Sequence, residues 1–390
     1  MFQTDSAFHR RWRGPKNRGE RNTADARSDV DTATARALNL GIGEPDQPLP
    51  KHLVETAVRT LRAGHTGYTP KLGLRDLREL VATDIAAATG HRPDTDDVVI
   101  TIGGTGAVAV AVAAVCAPGG TVLVPDPAWP NYRVLAKQLG LTVLRYRQSG
   151  TGDGFLGLAA IEDGLRAGAR LVVVNSPSNP TGAVASSSLL RSLTGLVRTY
   201  DAFILSDEAY EAIVFGGGRA PGPLSVGGAD VAFAARTFSK TYSMTGLRVG
   251  ALISPPRFRD AVAALHGTTA GRAPTTAQLV AAEALRSLPN RGIELSAVYR
   301  ERFRYAAAIL GPWTPWAEME SLGGFYLWLD ARPTGRTSAQ LCANLCRRGV
   351  LASSGLVYSA EDGFLRLALT APASDLRAAL PVVREELERR

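Results

Sequence analysis

Short apolar segments alternate with helical patterns along most of the chain, and this alternation restricts the fold most strongly. Seven apolar segments of four to six residues predict buried strands: Val98–Ile102, Thr121–Val124, Leu141–Tyr146, Leu171–Asn175, Ala202–Ser206, Val231–Ala235 and Val249–Ile253. Intervals between them have the periodicity of helices: Gly104–Ala117, Trp129–Leu139, Leu158–Ala167 and Ser187–Tyr200. Repeated strand–helix units with apolar strands predict an α/β fold, in which helices sandwich a mostly parallel sheet.

The two ends of the chain differ from this pattern. After Ala273, predicted helices alternate with the strand-like segments 324–329 and 364–369, which indicates a smaller α+β domain. Residues 1–36 contain six closely spaced basic side chains and almost no aliphatic periodicity. We therefore predict four regions: a basic, flexible arm over 1–36, a segment over 37–55 that joins the small domain, a large domain over 56–290 and a small domain over 291–390.

Composition excludes several classes of protein. The chain has 390 residues, of which 45% are hydrophobic and 21% charged, so overall disorder is excluded. Its net charge of +8 is typical of a protein that binds an anionic ligand or, weakly and non-specifically, a polyanion. The three cysteines lack CxxC spacing, which argues against a disulfide framework or a metal site. The longest apolar run is too short to cross a membrane, and the basic arm has no recognition helix for nucleic acid. We expect a cytoplasmic protein that binds no metal, membrane or nucleic acid.

Lys240 lies between the last two predicted strands of the large domain, in the segment Ala235–Gly250. An ammonium group between buried strands is costly unless it is paired or neutral. A neutral lysine amine is also the form that acts as a Schiff-base nucleophile. The alternative is a surface loop in which Lys240 and Arg248 are merely solvated.

Polar residues follow two of the predicted strands at the edge where α/β sheets bind ligands. Gly103, Gly104 and Thr105 lead from a strand into a helix, and a helix N-terminus approached through glycines suits a phosphate. The alternative is a plain turn capped by Thr105. Asn175 and Asn179 follow another strand in a rigid turn rich in proline, which turn chemistry alone could explain.

Three further side chains follow strands at the same predicted edge. Asp207 ends a buried strand, and its carboxylate could face a cationic ring nitrogen, with Tyr210 three residues later. The alternative for Asp207 is a helix N-cap. Trp129 follows a strand and is either a core residue or a platform for a cofactor ring.

Arg366 lies inside an apolar strand of the predicted small domain. A buried guanidinium requires an anionic partner, and its planar fork suits a carboxylate. That carboxylate belongs either to a ligand or to an internal salt bridge.

Taken together, these motifs resemble those of fold type I pyridoxal-phosphate enzymes of the class I/II aminotransferase family, in particular its aspartate aminotransferase-like members. The resemblance runs from about Leu40 to Arg366 and rests on six motifs in the family's order. It implies pyridoxal 5′-phosphate as cofactor, held by Lys240 as an internal aldimine. The implied phosphate contacts are Gly103, Gly104, Thr105, Thr237, Ser239, Arg248 and Tyr68. Tyr68 would reach the site of a neighbouring subunit, which implies a homodimer with shared active sites.

The resemblance also implies roles around the cofactor ring and the substrate. Asp207 would keep the ring nitrogen protonated, Tyr210 and Asn179 would bond the 3′-oxygen, and Trp129 would stack on the ring. Arg366 would clamp the substrate α-carboxylate, assisted by Gly43 and Asn179. Arg272 would contact the substrate side chain. Some aspartate-preferring relatives carry lysine where this chain has Thr105, which weakens a prediction of dicarboxylate specificity.

The implied reaction is a transamination in two halves. Lys240, displaced by the amino acid, would carry the α-proton to the cofactor, which leaves a 2-oxo acid and pyridoxamine phosphate, and an acceptor 2-oxo acid reverses the sequence. The same motifs also fit β- or γ-replacement, cyclisation or decarboxylation of an amino acid. A non-catalytic regulator would need a DNA-binding domain, and residues 1–36 are too short and unpatterned to provide one.

Overall fold

A computed structural model describes residues 37–148, 155–269, 271–314 and 321–389. The predicted basic arm, residues 1–36, lies outside the described residues. Leu38–Arg390 form one compact unit. The predicted division of this unit into a large and a small domain stays a prediction.

The described residues form short strands and longer helices in alternation. The strands are β1 (Leu38–Asn39), β2 (Val98–Thr101), β3 (Thr121–Asp126), β4 (Thr142–Arg147), β5 (Ala169–Asn175), β6 (Phe203–Asp207), β7 (Ala232–Thr237), β8 (Gly250–Ile253), β9 (Tyr326–Asp330), β10 (Val350–Leu351), β11 (Ser353–Ser354) and β12 (Phe364–Ala368). The helices are α1 (Lys51–Arg62), α2 (Arg75–Thr89), α3 (Gly103–Val115), α4 (Asn131–Gln138), α5 (Leu158–Arg166), α6 (Ser187–Thr199), α7 (Phe238–Thr241), α8 (Arg259–Thr269), α9 (Thr275–Ser287), α10 (Arg291–Leu310), α11 (Ser338–Arg347) and α12 (Ala373–Glu388).

Seven strands form the central sheet, in the order β2-β8-β7-β6-β5-β3-β4. All neighbouring strands from β7 to β4 run parallel, whereas β8 runs antiparallel to both β7 and β2. β5 and β6 are buried on both faces, which explains why they are apolar without alternation. α3 packs against the sheet and is apolar on nearly all sides, as a buried helix should be. The predicted α/β fold with a mostly parallel sheet is confirmed.

A second apolar core lies outside the central sheet. It joins β9, β12 and helices α10, α11 and α12, with Tyr299 and Phe325 among its largest buried side chains. Leu40 belongs to this core, because β1 pairs in parallel with β10 and brings the start of the described chain to its C-terminal part. Gly41 thereby comes close to Arg366, 325 positions later in the sequence, and Gly43 comes close to Tyr326.

Most of the predicted elements are present, with boundaries within one to three residues of those expected. The sequence prediction missed α8, since its buried positions are Val262 and His266, and a histidine does not extend an apolar repeat. β1, β10 and β11 were also missed, because two-residue strands have no periodicity to detect. None of the described helices is both long and apolar enough to cross a membrane.

Candidate functional site

The carboxyl end of the parallel sheet gathers the polar residues of the candidate site. Asn175 and Asp207 end β5 and β6 and lie side by side in the sheet register. The Asn175 side-chain amide donates to the Asp207 carbonyl oxygen at 2.9 Å, and its oxygen accepts from the Asn179 backbone at 2.7 Å. These bonds fix the turn after β5, so that Asn179 is held beside the end of β6.

The first turn of α3 forms an anion-binding cradle with Arg248. Ile102 at the N-cap of α3 supplies no side-chain cap, so the first amide groups of the helix lack an internal acceptor. Gly103 adopts a positive φ of 67°, and a Cβ there would lie 2.7 Å from a terminal nitrogen of Arg248. A guanidinium packed on uncapped amides suits a phosphate. Thr105 is exposed within the helix, so the alternative that it caps the turn is wrong.

Two hydroxyl groups complete this cradle. Thr237 caps α7: its hydroxyl accepts from the Ser239 amide at 3.2 Å and donates to the Ser239 hydroxyl at 3.0 Å. A Cβ on Gly104 would lie 3.3 Å from the Thr237 Cβ, so this glycine gives α3 and β7 their close approach. Hence Gly103, Gly104, Thr237, Ser239 and Arg248 lie close together, and as a set they fit a phosphate.

Lys240 lies within α7 and is half-buried. Its Nζ donates to the Gly43 carbonyl oxygen at 2.9 Å and lies 5.9 Å from the centre of the Phe325 ring. The alternative of a solvated surface lysine is therefore wrong. The amine points from the phosphate cradle toward the Gly41–Gly43 segment.

Asp207 is buried and accepts a 2.5 Å hydrogen bond from the Tyr132 hydroxyl. Burial raises the pKa of Asp207 to about 6, although the Tyr132 hydroxyl and the Ala209 amide act in the opposite direction. Turns rather than a helix follow β6, so Asp207 is not a helix N-cap. A buried carboxylate in this position gains its strongest partner from a cationic group, such as a protonated ring nitrogen.

Glu208, the neighbour of Asp207, belongs to a different cluster. Arg236 donates to Glu208 at 2.6 Å and to Glu211 at 2.8 Å, and Arg219 pairs in bidentate fashion with Asp84. Successive strand residues point to opposite faces, which separates the two acids of the Asp207–Glu208 pair. The first faces the candidate site and the second stabilises the packing behind it.

Arg366 lies on β12 and is 5% exposed. Its terminal nitrogens donate to Asn179 Oδ1 at 3.2 Å, to the Gly41 carbonyl at 2.5 Å and to the Ser353 hydroxyl at 3.5 Å. None of these described partners is a carboxylate, and Nε has no partner among the described residues. The alternative of an internal salt bridge is thus not observed, and the cation retains donors for a ligand anion.

Two tyrosine rings hold the Arg366 guanidinium. Its central carbon lies 4.1 Å from the Tyr326 ring centre and 4.6 Å from that of Tyr358. The Tyr326 hydroxyl packs against Gly43, where a Cβ would lie only 1.8 Å from it. Tyr210 donates to the same hydroxyl across 3.4 Å. Tyr326 thus links Arg366, Gly43 and Tyr210.

Trp129, Tyr68 and Arg272 lie less centrally. Trp129 is half-buried at the border of the main core and packs edge-on against Tyr132, 5.3 Å between ring centres. Tyr68 is 92% exposed, and its ring lies 4.9 Å from the Arg272 guanidinium. Among the described residues, no recorded contact joins this pair to Lys240 or Arg366. Their predicted roles therefore stay predictions.

The sequence prediction missed Tyr132, Tyr326 and Tyr358. Tyr132 lies one turn after Trp129, and a helical reading of α4 could have placed it on the buried face. Tyr326 and Arg366 are diagonal neighbours on one face of the β9–β12 pair, whose register places Arg366 opposite Trp328. The contact between Tyr326 and Arg366 follows from the antiparallel register of β9 and β12. That register could not be predicted from the sequence.

Comparison with known proteins identifies relatives of this chain. A family model described as "Aminotransferase class I and II" matches residues 35–383. The bifunctional aspartate aminotransferase and glutamate/aspartate-prephenate aminotransferase of Petunia hybrida is 30% identical over 380 residues, 92% of this chain and 79% of the relative. The LL-diaminopimelate aminotransferase of Desulforudis audaxviator is 32% identical over 358 residues, 89% of each protein.

A solved structure agrees with these sequence matches. The crystal structure of aspartate aminotransferase from Thermotoga maritima superposes with a TM-score of 0.83 at 30% identity, and the match covers 94% of each chain. The region matched by the family model contains every residue of the candidate site.

Proposed function

Because this chain belongs to the class I and II aminotransferase family, we propose which of its residues carry out amino-group transfer. The chain is a pyridoxal-phosphate-dependent transferase that moves an amino group between an amino acid and a 2-oxo acid. We propose that Arg366 anchors the α-carboxylate of an L-amino acid, and that Lys240 binds the cofactor and moves the α-proton.

The residues present fit the cofactor. The cradle of Gly103, Gly104, Thr237, Ser239 and Arg248 would hold its phosphate, with Thr105 at the rim. Asp207 would face the ring nitrogen, Tyr210 and Asn179 the 3′-oxygen, and Trp129 the ring face. When bound, the cofactor supplies an electron sink for negative charge on the substrate α-carbon.

A single observation supports the proposed substrate anchor: Arg366 is a buried cation whose described partners are all uncharged. A guanidinium has five N–H donors, and the unpartnered Nε leaves an edge for a carboxylate. The Tyr326 and Tyr358 rings restrict the guanidinium plane, which reduces the entropy lost when a substrate is oriented.

The contacts of Lys240 support a role in acting on a substrate held in this way. Its Nζ contacts the Gly43 carbonyl, and Arg366 contacts the Gly41 carbonyl two residues earlier. A substrate with its α-carboxylate on Arg366 would therefore present its α-carbon near Lys240. Once the substrate's own amine has displaced it, the Lys240 amine is the group that can remove the α-proton.

Single-turnover absorbance measurements test this proposal. We expect L-amino acids to bleach the visible band of the lysine-bound cofactor, and a 2-oxo acid to restore it. Amines that lack only the α-carboxylate, such as 4-aminobutyrate in place of L-glutamate, should bleach it at least about tenfold more slowly, because a charge-assisted bond to Arg366 contributes roughly 1.5–3 kcal/mol. Equal bleaching rates for the two compounds would contradict the proposed role of Arg366.

The proposed homodimer rests on the exposed surface around Tyr68. Val54, Val58 and Leu61 form an exposed apolar stripe at helical spacing on α1, and Tyr68 extends from the loop that follows. The Tyr68–Arg272 pair would then contact the cofactor phosphate and the substrate side chain in the neighbouring subunit. Relatives named for aspartate, glutamate and LL-diaminopimelate make a second carboxylate the natural partner for Arg272.

Mixed dimers test the shared site. In a heterodimer of Lys240→Ala and Tyr68→Ala subunits, one site would combine an intact Lys240 with an intact Tyr68. After the two variants are mixed and allowed to exchange subunits, we expect the activity at limiting cofactor to exceed the sum of the activities of the two parent proteins measured separately. No gain, with heterodimers verified by mass, would contradict a shared site.

A cytoplasmic location stays a prediction from the sequence. It is supported by the three cysteines, which are all unpaired.

A further inference from the structure

Tyr326 occupies the junction between the proposed substrate anchor and the proposed cofactor contacts. Its ring lies under the Arg366 guanidinium, and its hydroxyl lies against Gly43 and 3.4 Å from the Tyr210 hydroxyl. That distance is long for an O–H···O bond, so the Tyr210 proton can turn to a stronger acceptor. Each hydroxyl can both donate and accept, and Tyr326 could then donate to Tyr210.

The surroundings of Tyr326 make its hydroxyl a better donor than that of an ordinary tyrosine. The charged or titratable groups that act on it come from several elements: Arg366 on β12, Lys240 on α7, Tyr210 after β6, Tyr299 on α10, and Tyr358. Burial opposes ionisation of Tyr326, but the positive charges of Arg366 and Lys240, together with hydrogen bonds from Tyr210 and Arg366, outweigh it and lower the pKa of Tyr326. Burial and the neighbouring Tyr326 raise the pKa of Tyr210. When the Tyr210 hydroxyl turns to a ligand oxygen, its own oxygen can accept a hydrogen bond from Tyr326.

Tyr358 provides an internal comparison, because its ring also packs against the Arg366 guanidinium. Its ring lies 4.6 Å from Arg366, but its hydroxyl bonds to Ser353 rather than to Tyr210. Loss of either hydroxyl leaves a ring against Arg366. Only the loss of the Tyr326 hydroxyl breaks the link to Tyr210.

We propose that Tyr326 is a positioning residue that couples the two halves of the site: its ring holds the plane of Arg366, and its hydroxyl orients and strengthens the Tyr210 hydroxyl as a donor to the cofactor's ring oxygen. This inference rests on the proposed function, in which Tyr210 contacts that oxygen. Hydrogen bonds in such a chain polarise one another, so the Tyr326 hydroxyl acts on the cofactor without touching it.

With the cofactor bound through Lys240, a proton would be shared between the Lys240 nitrogen and the ring oxygen, and the consequence concerns that proton. A stronger donor at that oxygen draws electron density from it and weakens its hold on the shared proton. The pH at which the holoenzyme absorbance changes is therefore lowered by Tyr326. Removal of its hydroxyl should raise that pH.

The test is a pH titration of the visible absorbance of the holoenzyme without substrate, for wild type, Tyr326→Phe, Tyr358→Phe and Tyr210→Phe. We expect the midpoint to rise by about 0.5 pH unit in Tyr326→Phe, by more in Tyr210→Phe and not at all in Tyr358→Phe. The Tyr358→Phe variant should change only KM, whereas Tyr326→Phe should change kcat as well.

Two outcomes would overturn the inference. An unshifted midpoint in Tyr326→Phe, together with a shift in Tyr210→Phe, would remove the coupling role and leave the proposed function intact. Equal shifts of the midpoint in Tyr326→Phe and Tyr358→Phe would show that both residues act only by packing against Arg366. A wild-type holoenzyme that lacks the visible band at every pH would instead contradict the proposed role of Lys240 as the cofactor's anchor.

Discussion

Replacement of Lys240 by alanine is expected to remove the visible band of the lysine-bound cofactor and to lower kcat by a factor of about 10²–10⁴ or more, the range attributable to general acid–base catalysis alone. The Lys240 amine is the one predicted covalent anchor, and it lies between the phosphate cradle and the Gly41–Gly43 segment. Absorbance spectra and steady-state rates measure the two losses.

Cofactor binding should persist in the Lys240→Ala protein, although more weakly. Arg248, Thr237 and Ser239 do not depend on the lysine, and the uncapped turn of α3 remains. Lys240→Arg serves as the matched control, because it keeps a cation but cannot lose its proton to become a nucleophile or base. Turnover in either variant close to the wild-type rate would refute the role of Lys240.

Replacement of Asp207 by asparagine is expected to have opposite effects on turnover and on the stability of the cofactor-free protein. Turnover should fall about 10²–10³-fold, the usual consequence of removing one preorganised electrostatic group. The geometry should survive, because the asparagine oxygen can accept from the Ala209 amide while its NH2 group donates to the Tyr132 hydroxyl oxygen. The loss of turnover therefore measures the effect of the Asp207 charge rather than of its packing.

The stability effect depends on pH. Burial raises the pKa of Asp207 from 3.8 to about 6 in the folded chain. The folded state then binds the proton more tightly than the unfolded state, so stability present below pH 3.8 is lost as the pH rises through about 6. Raising the pKa by about two units corresponds to about 3 kcal/mol of unfolding free energy. Above pH 6 the cofactor-free Asp207→Asn protein should thus be the more stable, as measured by urea unfolding between pH 4 and 8.

Glu208→Gln is the matched control for Asp207→Asn. Both acids are buried neighbours at the end of β6, but Glu208 pairs with Arg236. Its replacement leaves part of a buried cation uncompensated and should destabilise the fold by roughly 3 kcal/mol. The two substitutions should therefore change the free energy of unfolding in opposite directions. If the Asp207→Asn protein were less stable than wild type above pH 6, burial would not be destabilising the ionised Asp207 carboxylate.

Much of the fold follows from local patterns in the sequence. The seven strands of the central sheet are short apolar runs bounded by turns, and a strand buried on both faces shows this pattern clearly. The rule that ligands bind at the carboxyl ends of parallel strands also predicted that Asn175, Asp207 and Lys240 lie at one edge of the sheet. The antiparallel direction of β8 could not be read in this way, since strand direction leaves no mark on apolar periodicity.

The polar side chains that orient the site were harder to predict. Tyr326 meets Arg366 only because β9 and β12 pair in one particular register, and a shift of one residue would turn it to the other face. Tyr132 reaches Asp207 across 75 positions in the sequence. Such contacts depend on the relative placement of whole elements. Residue types with strong local signatures were predictable, whereas their supporting neighbours were not.

The central claim is that Lys240 moves the α-proton of a substrate held by Arg366. Exchange of the α-proton tests it most directly: each holoenzyme is incubated with an L-amino acid deuterated at the α-carbon, and loss of deuterium to water is followed by mass spectrometry. Wild type should release the label, whereas Lys240→Ala loaded with cofactor should retain it over the same period. Release of the label by the Lys240→Ala protein at the wild-type rate would contradict the claim.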